Sequence, residues 1–313
     1  MKNNTVIVAC DKNYFWGTFL LVASMRKFEM DEPVLVFQTD FLKEMKNCLA
    51  HFGNVNFVDA PSSVRNMAAR KGEAMLCATT DYITWVDCDG FFYGNCSDLL
   101  IEQDSNAIHA RLRSVEEMQR PNAKNNLYNI SEHPGTIPKH VLEVWQKDVN
   151  ELQEPAIKTT VSSCFFSLNK KHRDFIEKWQ KQMDLILPNQ NAQVVWDESI
   201  AYYQFDESVL NSLLCFMQNA PIITPVFKLD KDRNHIFHHM GFHPKPWQWW
   251  SPLSLRVYDR IMEIIKWASD NGYATLPLPL AFNPKYSWLH KHTGWWSYFM
   301  RAKRKILRKL KSQ

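Results

Sequence analysis

The sequence predicts an α/β protein whose central sheet is mostly parallel and flanked by helices. Three observations carry this reading. Short runs rich in Val, Ile and Phe alternate with amphipathic stretches through the first ninety residues. Those runs are continuously apolar, as suits strands covered on both faces. At 313 residues and 45% hydrophobic content, the chain can also bury a large core.

Taken in order, residues 5–10 (TVIVAC) read as a buried strand and 15–30 as a helix. Residues 33–40 read as a strand and 41–53 as a helix that Gly53 stops. A strand at 55–60, a helix at 62–81 capped by Ser62 or Ser63, and a strand at 82–87 (YITWVD) follow. This βαβαβαβ series is the pattern of a doubly wound sheet. Residues 106–112 give a further strand. From 113 to 158 the chain is polar and carries Pro121, Pro134, Pro138 and Pro155, which predicts a long irregular insertion of the kind that faces a substrate. Order returns with a strand at 159–169, helices at 170–187 and 196–217, and short strands at 222–229 and 235–240. Residues 251–270 predict a separate amphipathic helix, followed by a proline-rich link and an aromatic, basic end. The expected division is a catalytic domain over 1–250 and a C-terminal segment over 251–313.

The formal net charge of +4 is mild, and its sign belongs to the run 300–313, which is rich in Lys and Arg and has no acid. No nucleic-acid partner is expected on that basis. Seven scattered cysteines form no CxxC pair, which points to reduced thiols in the cytosol, not a disulfide framework or zinc site. No stretch has the length of a signal-peptide core or a membrane-crossing helix, so a cytoplasmic location is expected. The Asn-x-Ser/Thr triplets at Asn3, Asn95 and Asn129 are then chance matches. Trp295, Trp296, Tyr298 and Phe299 stand beside Lys303, Arg304, Lys305, Arg308, Lys309 and Lys311. Aromatics that seat at the headgroup level next to cations predict peripheral contact with an anionic membrane surface, the inner face of the cell membrane.

The chemistry gathers at "DYITWVDCDGFFYGN", residues 81–95. Ligands of open α/β sheets bind beyond the carboxyl ends of the strands. Asp87 and Asp89 stand there, two apart, so their side chains point to the same side. Two converging carboxylates repel, and a hard divalent cation such as Mg²⁺ or Mn²⁺ relieves that repulsion. The plain alternative is a turn in which Gly90 supplies a positive φ. At the end of the first strand, "ACDKNY" places Asp11, Asn13 and Tyr14 where a carboxylate, an amide and a ring can meet a base and ribose. In "HHMGFHPKPWQWW" a histidine can complete a metal shell, Gly241 admits backbone close to a diphosphate, and Lys245 can pair with phosphate oxygens. Asp206 and Glu207 in "QFDESVLN" read first as a solvated face or as acids at a helix start.

Two resemblances follow. "WVDCDGFF" looks like the D-x-D-G-T motif of haloacid-dehalogenase-type phosphatases, but Phe91 stands where that family has a hydroxyl, and the motif ends the fourth strand instead of the first. Over residues 5–250 the chain resembles the retaining glycosyltransferases of family 8, the group of glycogenin and of bacterial lipopolysaccharide galactosyl- and glucosyltransferases. "ACDKNY" is similar to that family's A-x-D-x-N-Y, "WVDCD" to its D-x-D strand, "DESVLN" to D-Q-x-x-L-N and "HHMGFHPKPW" to H-x-x-G-x-x-K-P-W. The resemblance implies a GT-A-type nucleotide-diphospho-sugar transferase fold with a C-terminal helical extension, the 113–158 insertion lying on the acceptor side.

The same resemblance implies transfer of a hexose, galactose or glucose in type, from a UDP-sugar to a surface-glycan or lipid-linked acceptor. Asp87, Asp89 and His239 would hold Mn²⁺ or Mg²⁺, with His238 as the competing histidine. Asp11, Asn13 and Tyr14 would hold uridine, Arg70 would contact the donor, Gly241 and Lys245 would meet the diphosphate, and Asp206 the sugar hydroxyls. Glu207 replaces the usual Gln, and Ser162 or Ser163 stands near an expected Asn, so the sugar pocket is altered, with Asp206, Glu207 and Ser162 as its catalytic candidates. Arg111 and Arg113 stand where the family often has an acid; they read first as ordinary surface arginines, and otherwise as a sign of an anionic acceptor. Loss of turnover in a nucleotide-sugar-binding protein is the non-enzymatic reading.

Overall fold

Strand β1 (Asn4–Asp11) lies in the middle of the molecule because its two faces are equally apolar. Val6, Val8 and Cys10 join one buried cluster, while Ile7 and Ala9 join a second on the opposite side of the sheet. The computed structural model describes residues 3–64, 66–101, 104–119, 135–151, 153–186, 200–225, 236–292, 296 and 299.

β1 is flanked in parallel by β2 (Val34–Thr39) and β4 (Tyr82–Val86), and β3 (Val55–Asp59) lies parallel outside β2. Helices α1 (Phe15–Lys27), α2 (Lys43–Ala50) and α3 (Lys71–Leu76) make the crossovers. β6 (Ala107–Leu112) and β4 both run antiparallel to β7 (Val161–Asn169), and β8 (Ile222–Pro225) closes the far edge parallel to β6. The sheet order is β3-β2-β1-β4-β7-β6-β8, and most of its pairings are parallel. A second ribbon pairs β5 (Gly90–Phe92) with β9 (Phe237–His239).

Three segments differ from expectation. Residues 62–81 form a 3₁₀ turn, Met67–Arg70, and then α3, with no long helix. The cap is Asn66, whose side-chain oxygen accepts from Ala68 N at 3.0 Å, while Ser62 lies in a turn closed by Val64 N donating to Pro61 O. The expected irregular insertion contains α4 (Val115–Gln119) and α5 (Lys139–Val149). Pro138 precedes α5 with a φ already suited to helix entry, and Val141, Trp145 and Val149 bury one face at a four-residue spacing; residues 120–134 lie outside the described set. Of the helix expected over 196–217, residues 196–199 lie outside the described set; the rest forms a 3₁₀ turn at Ile200–Tyr202 and then α7 (Asp206–Phe216). A long amphipathic helix, α6 (Arg173–Ile186), packs beside it.

The C-terminal helix α8 (Tyr258–Asp270) is integral to the core. Ile261, Ile264, Ile265 and Ala268 share one buried cluster with Val6, Val8 and Phe19, and α8 lies directly on α1. Among the described residues no helix is long and apolar enough to cross a membrane.

Candidate active site

Asp87 leaves the sheet at the carboxyl end of β4, where its N–H donates to Cys164 O on β7 at 2.8 Å. The chain then enters β5, whose antiparallel partner β9 sets Gly90 opposite His239. That register carries His239 to the two acids. Its Nε2 is 3.2 Å from Asp89 Oδ1 and 3.7 Å from Asp87 Oδ2. All three ligand atoms lie within 4.8 Å of one another. His238 faces the other way, its ring 5.4 Å from Phe91 and 6.0 Å from Tyr93.

The glycine after the second acid does a different job from the one expected. Gly90 has no positive φ. A Cβ there would stand 2.0 Å from the Phe237 ring, so the bare backbone is what lets β9 approach. Gly17 on α1 acts in the same way, since a Cβ would fall 2.5 Å from Cys88 O in the loop between the two acids.

Each acid uses its second oxygen on a buried lysine. Lys245, 3% exposed, donates to Asp89 Oδ2 and to Met240 O at 2.7 Å. Lys71, 4% exposed, donates to Asp87 Oδ1 at 2.8 Å, and Trp85 Nε1 donates to the same oxygen at 2.9 Å. One oxygen of each carboxylate is therefore anchored while the other faces His239. Burial works against the charged form of Asp89, yet His239 and Lys245 outweigh it and hold the carboxyl far below the usual range. Burial likewise disfavours the His239 cation, and Asp89 together with the Cys164 thiol outweighs it, raising the imidazole well above its ordinary value. Two oriented anionic oxygens and an imidazole nitrogen at one point fit a divalent cation, and the imidazole favours Mn²⁺ over Mg²⁺.

Lys71 also joins this centre to α7. Its Nζ lies 2.8 Å from Asp206 Oδ2, which in turn accepts from Ser163 Oγ at 2.7 Å. Burial raises the Asp206 carboxyl and Asp87 raises it further, while Lys71 and Ser163 pull it down. Asp206 and Glu207 are both buried in the first turn of α7, where the helix dipole favours anions. The residue before them, Phe205, has φ +59°, a conformation that costs a non-glycine residue about 1–3 kcal/mol and that recurs where a site demands it. It starts the helix at Asp206.

A cavity of about 310 Å³ opens beside these groups, lined by Asp11, Tyr14, Lys71, Asp87, Asp89, Asp206 and His239 together with Thr39 and Asn66. Asp11 accepts from Asn13 N at 2.9 Å and from Asn13 Nδ2 at 3.3 Å, so Asn13 fixes the acid without lining the cavity itself. The Tyr14 ring meets Trp247 edge-on at 5.6 Å, and Lys245 Nζ lies 5.9 Å from its centroid. Burial and then Asp89 hold the Tyr14 hydroxyl protonated. Gly241 and Lys245 stand just behind the lining: a Cβ on Gly241 would meet the His239 ring at 3.4 Å.

Besides Asn13, Gly241 and Lys245, three more of the sequence candidates do not line this cavity. Arg70 turns to Glu73 and to Asp184, the latter at 2.9 Å, and the adjacent Lys71 takes the inner position because the 3₁₀ turn becomes α3 between them. Ser162 points to Cys164 Sγ at 3.2 Å, and strand alternation gives Asp206 to Ser163 instead. Glu207 is fixed by Ser163 N at 3.1 Å and by Arg113 at 2.8 Å. Arg113 is thus a half-buried partner of Glu207, and Arg111 pairs with Glu117 at 2.6 Å, so each cation is already engaged by an acid of this chain. Ser163 had been offered only as the alternative to Ser162, and Lys71, Thr39 and Asn66 were not singled out as site residues. A lysine in an amphipathic stretch gives no sign that it will be buried between two acids.

No protein-family model and no curated protein matches the chain in sequence. In structure the chain is similar to the bifunctional glycosyltransferase WbbM in its apo form, with TM-score 0.56 and 13% identity over 89% of this chain and 50% of that one. It spans about half the length of that protein. It is also similar to an active-site glutamine-to-glutamate mutant of LgtC, with TM-score 0.50 and 13% identity over 89% of this chain and 99% of that one. At these identities the likeness is one of architecture: the chain has the GT-A-type glycosyltransferase fold.

Proposed function

We propose that the protein is a metal-dependent glycosyltransferase that moves a hexose from a UDP-sugar to a surface-glycan or lipid-linked acceptor with retention of configuration. The observation that carries this reading is the meeting of Asp87 Oδ2, Asp89 Oδ1 and His239 Nε2 at the wall of a cavity also lined by Asp11 and Tyr14. The fold shared with glycosyltransferases supports it. The phosphatase reading loses ground because Phe91 is fully buried in β5 and offers no hydroxyl.

Bound at that point, Mn²⁺ or Mg²⁺ would neutralise charge developing on the departing nucleoside diphosphate. The chain's own residues divide the rest. Asp11, held by Asn13, accepts hydrogen bonds from the nucleoside while the Tyr14 ring offers it an apolar face. Lys245, held by Asp89 beside Tyr14, would supply positive charge from behind the lining to a diphosphate. Asp206 accepts from the hexose hydroxyls, and Lys71 between it and Asp87 offsets the repulsion of the two carboxylates. Glu207, tied to Arg113, holds the backbone of Ser163 in place. The exposed rings of Trp288, Trp296 and Phe299 support seating on an anionic membrane; most of the basic run lies outside the described residues.

The test is thermal unfolding of wild type and Asp87→Ala with Mn²⁺ and a panel of nucleotide sugars. A ligand at a hundred times its Kd adds about 2.7 kcal/mol of stability. One UDP-sugar should raise the melting temperature of wild type only, and transfer of its labelled hexose separates an enzyme from a binding protein. Equal shifts in both proteins would remove the acids from the site.

A further inference from the structure

We propose that Cys10 and Cys88 form a dithiol site at the floor of the cavity, where peroxide closes them into a disulfide that disables the metal acids. The disulfide itself does not rest on the glycosyltransferase reading, whereas its effect on Mn²⁺ rests on the metal site proposed above.

The argument starts from strand register. β1 and β4 are parallel neighbours, paired as far as Ile7 opposite Trp85. Three residues on along each chain stand Cys10 and Cys88. Each lies two past a residue of one cluster, Val8 and Val86, and both cysteines belong to that same cluster, so they share one face of the sheet. Adjacent strands lie about 4.8 Å apart, inside the roughly 4.4–6.8 Å Cα separation that a disulfide spans. Cys10 is also the largest influence on the Cys88 thiol, raising it well above its ordinary value ahead of burial. The Thr18 hydroxyl donates to Cys10 Sγ at 3.2 Å, so Cys10 is the sulfur with an oriented donor and the better first nucleophile. Cys10 and Cys88 are 2% and 9% exposed and all seven cysteines are free thiols, but only these two line the cavity, which gives a small oxidant its path.

The chemistry balances with hydrogen peroxide as oxidant. Cys10 sulfur attacks one peroxide oxygen, the O–O bond breaks, and Cys10 sulfenic acid and one water result. Cys88 sulfur then attacks the Cys10 sulfur, the S–O bond breaks, and the oxygen leaves as a second water carrying the Cys88 proton. Two thiols are oxidised and one peroxide is reduced. Cys88 is the residue between Asp87 and Asp89, so tying it to β1 displaces the acids whose free oxygens face His239.

The experiment treats the purified full-length protein with hydrogen peroxide and then alkylates it in denaturant. Peptide mapping should show a reducible link joining the peptides of Cys10 and Cys88, with the other cysteines alkylated. Mn²⁺ binding by the oxidised protein should weaken at least tenfold and return with dithiothreitol. Cys10→Ser and Cys88→Ser should each abolish the link and retain, after peroxide, the Mn²⁺ affinity of their own reduced forms. Two results overturn the proposal: Cys10 and Cys88 both alkylated in oxidised wild type, or a link that joins either one to Cys164 or another thiol. The mapping on wild type decides even where a variant folds poorly.

Discussion

Replacing Lys71 by methionine tests how the site tolerates its own charges. The side chain volume is nearly kept, but the ammonium shared by Asp87 and Asp206 at 2.8 Å each is lost. Asp87 retains Trp85 Nε1 and is partly open to water, whereas Asp206 is buried and keeps the Ser163 hydroxyl. Removing one partner from a buried ion pair costs about 3–5 kcal/mol, because the remaining charge is uncompensated. With an unfolding entropy of about 2.1 cal/mol/K per residue over 313 residues, that is a fall of roughly 5–8 °C in melting temperature.

The loss should depend on pH with a defined sign. Burial raises the folded Asp206 carboxyl above its unfolded value, and Lys71 is the main group pulling it back. In Lys71→Met the folded value rises further. The penalty is then absent below the unfolded value near pH 3.9, grows as pH rises, and is complete above the folded value. Chemical denaturation at pH 5 and pH 8 should therefore show a larger deficit at pH 8. Asp206→Asn in the Lys71→Met background should recover much of it, since no buried charge is then stranded. A deficit below about 1 kcal/mol, or one that does not shrink toward acid pH, refutes the reasoning.

Other expectations follow from the same geometry. Gly90→Ala forces a methyl against the Phe237 ring and should cost about 1–3 kcal/mol while weakening Mn²⁺ binding, because His239 shares that strand; unchanged calorimetric affinity would detach β9 from the metal site. Arg113→Met leaves Glu207 buried without its cation and should destabilise by about 3–5 kcal/mol, and Glu207→Gln in that background should restore part of the loss in a double-mutant cycle. Binding to phosphatidylserine vesicles should fall by at least tenfold in Trp296→Ser/Phe299→Ser and weaken as salt rises from 0.05 to about 0.5 M. Equal co-sedimentation of wild type and variant would dismiss the aromatic end as a membrane contact.

The sheet was legible because β1, β2 and β4 each bury both faces, which writes an unbroken apolar run into the chain. The acids were legible because strand ends in such sheets face the ligand side, and His239 followed from counting back from Lys245. The partners that tune these groups were not. Lys71 meets residues 16 and 135 positions away, and nothing local marks it as buried. The start of α7 was misplaced because a positive φ at Phe205 overrides the helical spacing of its neighbours. α5 was missed because prolines were read as loop markers, although Pro138 sits where a helix accepts one.

The contact of α8 with α1 has a consequence for biosynthesis. Ribosomes extend a chain at about 5–20 residues per second. The first strand and its helix therefore wait roughly 13–50 s for the segment that covers them. During that interval Phe19, Val22 and their neighbours stay open to water, so nascent chains of this protein should be clients of a holding chaperone until translation passes residue 270.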